Sequence, residues 1–84
     1  MRDDELGIRR ARIDELDMRI VGMLNERQAE ALAIRHLKEE KGLDRFDPER
    51  EEQLVSRLVE GSTGPLDEQG IREIYSAILS VSKR

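Results

Sequence analysis

Along the first half of the chain, apolar residues recur at Leu6, Ile13, Leu16, Ile20, Met23, Leu24, Ala31, Ile34 and Leu37. Spacings of three, four and seven predict one long helix from about residue 3 to residue 41. Gly7 and Gly22 each weaken it by roughly 1 kcal/mol relative to Ala, but neither is a stop signal. Gly42 suits the position just past its end, with Lys38 and Lys41 at the negative pole of the helix dipole. A second helix, about 48–60, is announced by Asp47 as N-cap and Pro48 at the first helical position. Glu49, Glu51 and Glu52 favour its positive end. Leu54, Val55, Leu58 and Val59 form its apolar stripe, and Gly61 stops it. A third helix, about 66–82, carries the stripe Ile71, Ile74, Tyr75, Ile78 and Leu79. The expected fold is all-α, one long and two short helices in a single domain, 1–84.

Length adds a constraint. The first helix is about 54–58 Å long at 1.5 Å per residue. A compact globule of this size is only about 30 Å across. The two short helices, about 20–25 Å each, cannot cover the long apolar stripe. A second copy is therefore expected, as a homodimer with antiparallel long helices.

Composition narrows the class further. Hydrophobic residues make up 37% and charged residues 40%, with one Tyr, one Phe and no Trp. A β-sandwich or barrel would use more β-branched and aromatic side chains. A chain of this length buries about 60% of its unfolded surface, which leaves a lone core marginal. Cysteine is absent, so there are neither disulfides nor thiolate metal ligands, which fits an expected cytoplasmic location. No signal peptide and no apolar run near 18 residues is present, so neither secretion nor membrane spanning is indicated. A net charge of −4 opposes general nucleic-acid binding, as for a helical nucleic-acid-binding protein.

The informative residues are cations on apolar stripes. Arg27 falls in the sevenfold series of Ile13, Ile20 and Ile34. Lys38 follows eleven residues later, about 20° from the same direction and about 16 Å along the axis. Two long side chains there can converge on an anion. The plain alternative is snorkelling at a helix edge or an ion pair with a nearby Glu. Arg50 stands four residues before Leu54 and eight before Leu58, so it points towards the same core. Asp47 and Glu51 are also ordinary first-turn residues. Ser82 shares the face of Ile71, where a satisfied core hydroxyl is the default. Arg10 lies about 25 Å from Arg27 and about 100° around the helix, so it cannot reach the same small ligand from the same chain. In an antiparallel dimer it approaches the middle of the partner's long helix. The single His36 points away from Arg27. No nucleophile–His–acid arrangement, glycine-rich phosphate loop or His-based metal spacing is present, so neither a metal nor a cofactor is expected. What remains is a cation-lined pocket suited to a small polyanion.

In their order and spacing, these segments resemble the AroQ class of chorismate mutases over nearly the full length. The resemblance is carried by Arg10-Ala11-Arg12-Ile13-Asp14-Glu15-Leu16-Asp17, Leu24-Asn25-Glu26-Arg27, Lys38, Arg45-Phe46-Asp47-Pro48-Glu49-Arg50-Glu51, Gly64-Pro65-Leu66-Asp67 and Ile71 through Ser82. The pattern is most like that of domains fused to prephenate dehydratase or to DAHP synthase. The resemblance implies an intertwined helical homodimer with two active sites, each drawing on both chains. It implies the Claisen rearrangement of chorismate to prephenate, on the way to phenylalanine and tyrosine, without cofactor or covalent intermediate. By position, Arg27 and the partner's Arg10 bind the two substrate carboxylates. Lys38 contacts a carboxylate and the ether oxygen, Arg50 supports the site electrostatically, Asp47 and Glu51 position the hydroxyl, and Ser82 bonds the ring carboxylate. Two departures stand out. Arg9 occupies a position where the family usually has Leu. Relatives also place a Gln or Glu about one turn beyond the Ser, near position 86, past Arg84. An excised or shortened domain, or a variant tolerating the loss, is expected, since one missing preorganised donor costs about 10²–10³ in rate. Isochorismate-pyruvate lyase, which uses the same scaffold, and a non-catalytic regulatory or dimerisation domain are the competing readings.

Overall fold

A computed structural model describes residues 2–84, with side chains from Asp4 onward; Met1, where the expected domain begins, lies outside the described residues. The described residues form helices α1 (Arg2–Lys41), α2 (Pro48–Gly61) and α3 (Glu68–Ser82), with no strand among them. The all-α expectation holds.

Each helix boundary has a local cause. At the end of α1, Gly42 takes the left-handed conformation (φ 66°), its N–H donating to the Glu39 carbonyl at 3.3 Å. The Leu43 N–H donates to the Lys38 carbonyl at 2.9 Å. This pair of bonds is the Schellman closure, and it requires a residue without a Cβ penalty at position 42. At the start of α2 the Asp47 carboxylate accepts from the Arg50 N–H at 3.1 Å, with Pro48 in the first turn.

Two boundaries differ from the sequence reading. Gly61 is the last residue of α2 rather than a left-handed stop. The chain leaves the helix at Ser62, which is extended (φ −81°, ψ 124°) and donates its N–H to the Val59 carbonyl at 3.3 Å. The third helix begins at Glu68, two residues after the expected start near 66, because Asp67 is its cap: the Asp67 carboxylate accepts from the Gly70 N–H at 2.8 Å. Leu66 then folds over Gly70, so closely that a Cβ at position 70 would meet Leu66 Cδ1 at 2.9 Å.

The molecule divides into two units, Met1–Glu30 and Ala31–Arg84. In the first, the described residues are helical and none of their apolar side chains is buried. Leu16 and Leu24 are the most covered, each still 37% exposed, and Met18 reaches 75%. In the second, α2 and α3 pack together, burying Val55 (6% exposed) and Ile71 (5%). Arg72 of α3 ties the pair at its polar edge, reaching Glu52 of α2 at 3.2 Å and Glu68 at 2.9 Å. Hydrogen bonds to Glu68 and then Glu52 hold the Arg72 guanidinium still more firmly protonated than usual. Among the described residues, Val55 and Ile71 are the whole buried core. No helix among them is long and apolar enough to cross a membrane.

Candidate functional site

The second unit gathers chemistry at one place. Ala31, Ile34, Arg35 and Lys38 recur every three or four residues and so share one side of α1. Together with Arg45 and Phe46 of the α1–α2 loop, and Ser82 and Lys83 at the end of α3, they line a pocket of about 60 Å³. Its polar lining is four cations and a hydroxyl, with no carboxylate. Such a lining favours an anion.

The contacts within it are specific. Lys38 is half-buried, and its ammonium donates to the Arg45 carbonyl at 3.4 Å, a long and weak bond. The Arg45 guanidinium lies 5.5 Å over the Phe46 ring and donates to the Lys83 carbonyl at 2.7 Å. Arg35 donates to the Arg84 carbonyl. Lys83 pairs with Glu51 of α2, its Nζ lying 2.9 Å from Oε1 and 3.1 Å from Oε2. The Ser82 hydroxyl donates to the Ile78 carbonyl at 2.8 Å, one turn back in its own helix.

Of the sequence-derived candidates, Lys38 and Ser82 share this pocket. Glu51 stands one ion pair away, through Lys83. Asp47 and Arg50 sit at the start of α2, outside the lining, where the Asp47 carboxylate is committed to capping. Arg10 (exposed) and Arg27 (half-buried) belong to the first unit. His36 is exposed, as its helical phase implied. Four lining residues were missed from sequence: Arg35, Arg45, Phe46 and Lys83. Arg35 precedes Lys38 by three positions, one helical step, and Lys83 adjoins Ser82, so both had a positional signal. Arg45 and Phe46 lie in a loop without periodicity, and their signal was only their place in the segment that carries the resemblance. Among the described residues, no three His, Cys, Asp or Glu side chains group as a metal site would.

Comparison with known proteins agrees with this architecture. The sequence model of the family chorismate mutase type II matches residues 9–84. The bifunctional chorismate mutase/prephenate dehydratase of Neisseria gonorrhoeae (strain ATCC 700825 / FA 1090) is 36% identical over 78 residues, which are 92% of this chain and 21% of that protein. The chain thus spans about a fifth of the length of that curated relative. Among solved structures, chorismate mutase (Form I) from Thermus thermophilus superposes with a TM-score of 0.90 at 29% identity, covering 93% of this chain and 98% of that one. Fold and sequence together define an all-helical domain of the chorismate mutase type. The chain belongs to the type II chorismate mutase family.

Proposed function

We propose that the chain catalyses the rearrangement of chorismate to prephenate. The observation that carries this reading is the placement of Lys38 and Ser82 in one cation-lined pocket, in a chain of this family. The reaction is unimolecular. One ether C–O bond breaks as one C–C bond forms, and no proton or group is transferred to the protein. The site then has two tasks, to hold the reactive conformer and to meet negative charge growing on the ether oxygen.

Lys38 serves both tasks, bonding a carboxylate and the ether oxygen. Its weak bond to the Arg45 carbonyl is readily exchanged for a charge-assisted one. Arg27 and the partner's Arg10 bind the substrate carboxylates, and Arg50 adds positive potential. With its carboxylate capping α2, Asp47 meets the substrate hydroxyl through its main chain, beside Glu51. Ser82 exchanges the Ile78 carbonyl for the ring carboxylate when substrate enters. The second copy is supported by the first unit, where Ile13, Ile20 and Met23 remain exposed in the single chain. A homodimer of intertwined long helices covers them and brings Arg10 to the partner's site.

The test is chorismate disappearance by ultraviolet absorbance, with prephenate identified as product. Arg27→Ala and Lys38→Ala should each lower kcat/KM by about 10²–10³, with helicity unchanged by circular dichroism. A folded dimer that leaves chorismate intact, but splits pyruvate from isochorismate, would assign the lyase reaction instead. Inertness towards both would leave a regulatory module.

A further inference from the structure

The last turn of α3 is finished in an unusual way. It contains no basic residue, and Lys83 follows in a right-handed conformation (φ −86°, ψ −4°) in place of a left-handed glycine. Carbonyls at a helix end lack intrahelical partners and carry the negative pole of the dipole. The Ser80 and Val81 carbonyls accept from the Lys83 and Arg84 N–H groups, and other segments supply donors to the two carbonyls that follow the helix. Arg45 from the α1–α2 loop reaches the Lys83 carbonyl at 2.7 Å, and Arg35 reaches that of Arg84. The Lys83 ammonium adds a tie to Glu51 of α2 at 2.9 Å.

Arg45 has a second connection. Its own carbonyl accepts from Lys38 at 3.4 Å, so one residue touches Lys38 through its main chain and the end of α3 through its side chain. Ser82 immediately precedes Lys83, so where the Lys83 carbonyl is held fixes where the Ser82 hydroxyl can be. The guanidinium lies 5.5 Å over the Phe46 ring, where a cation–π attraction favours it. A planar, stacked fork keeps its donor aimed in a way that a flexible ammonium does not.

We infer that Arg45 is a positioning residue that sets Ser82 against Lys38 across the pocket. The inference rests on the function proposed above. Arg45 touches no reacting atom in this scheme; it acts through the end of α3 and through the Lys38 ammonium. Its plain rival is a surface tie that adds stability and nothing else.

Kinetics and amide exchange on the whole protein separate the two. Arg45→Ala should keep its helicity, exchange the Lys83 and Arg84 amides about tenfold faster, and lower kcat/KM on chorismate about tenfold. Arg45→Lys should recover only part of either quantity, since charge returns without the stacked fork. If Arg45→Ala does not fold, Arg45→Gln keeps a donor, loses the charge and carries the same expectation. A folded variant with the parent's kcat, KM and amide exchange overturns the inference while the proposed function stands. Faster exchange with unchanged kinetics overturns it too, leaving the stabilising tie. A parent without turnover would overturn the proposed function, and this inference with it.

Discussion

Residues 4–30 form an uninterrupted stretch of helix that buries none of its apolar side chains in the single chain, whereas residues 31–84 join α2 to α3 over Val55 and Ile71. The second unit has local reasons to be ordered: the glycine closure at position 42, aspartate caps at 47 and 67, and the Arg72 tie. The first has helix propensity and exposed local ties such as the Arg12–Glu15 pair at 3.3 Å, which contribute little, and isolated helices are marginal in water. The contrast teaches that the two stretches obtain their order from different sources. The second is held by contacts within the chain. The first presents an apolar stripe that is exposed in the single chain and that the proposed second copy would cover. The proposed site is divided in the same way, with Lys38 and Ser82 in the second unit and Arg10 and Arg27 in the first.

The comparison breaks most visibly at Ile20, in the middle of the first unit's stripe. Ile20→Glu would bury an unpaired charge in the proposed interface, at a cost of about 3–5 kcal/mol. Sedimentation should show monomers, with helicity falling as protein is diluted. A dimeric Ile20→Glu of parental stability would remove this stripe from the interface. Ile71→Ala tests the other unit. It should cost about 2–4 kcal/mol through lost transfer energy and a cavity between α2 and α3. Its thermal midpoint should drop by a similar amount across protein concentrations, whereas the parent's own midpoint rises with concentration, as expected when folding and association are linked. Smallest is Gly42→Ala. Nothing lies within 4 Å of the added Cβ, so the cost is the left-handed backbone alone, about 1 kcal/mol. Chemical denaturation should resolve it, and a neutral effect would show that the α1 terminus is not held as described.

These differences also explain what could be read from the sequence. The helices were legible because their apolar spacing and caps are local signals, and Asp47–Pro48 placed the start of α2 correctly. At α3 the start is fixed by Asp67, whose carboxylate accepts from the Gly70 N–H, while Leu66 lies over Gly70. Lys38 and Ser82 could be singled out as candidates because each lies on a definable helix face. Arg45 was not, since its contacts to Lys83 and Lys38 join positions 38 and 7 residues apart and leave no period in the chain. Asp47 had two legitimate readings, cap and ligand, and only the bond to Arg50 shows where its carboxylate goes.

The central claim is that a working site is built from two copies, one giving Arg10 and the other Arg27. Intersubunit complementation tests it directly. Arg10→Ala and Arg27→Ala are each prepared alone, then mixed in equal amounts, unfolded and refolded, with mixed dimers verified by mass. Each variant alone should be nearly inactive on chorismate. In a mixed dimer one site carries both substitutions and the other carries neither, so the mixture should regain about a quarter of parental turnover. Mixed dimers as inactive as their parts would contradict the shared site.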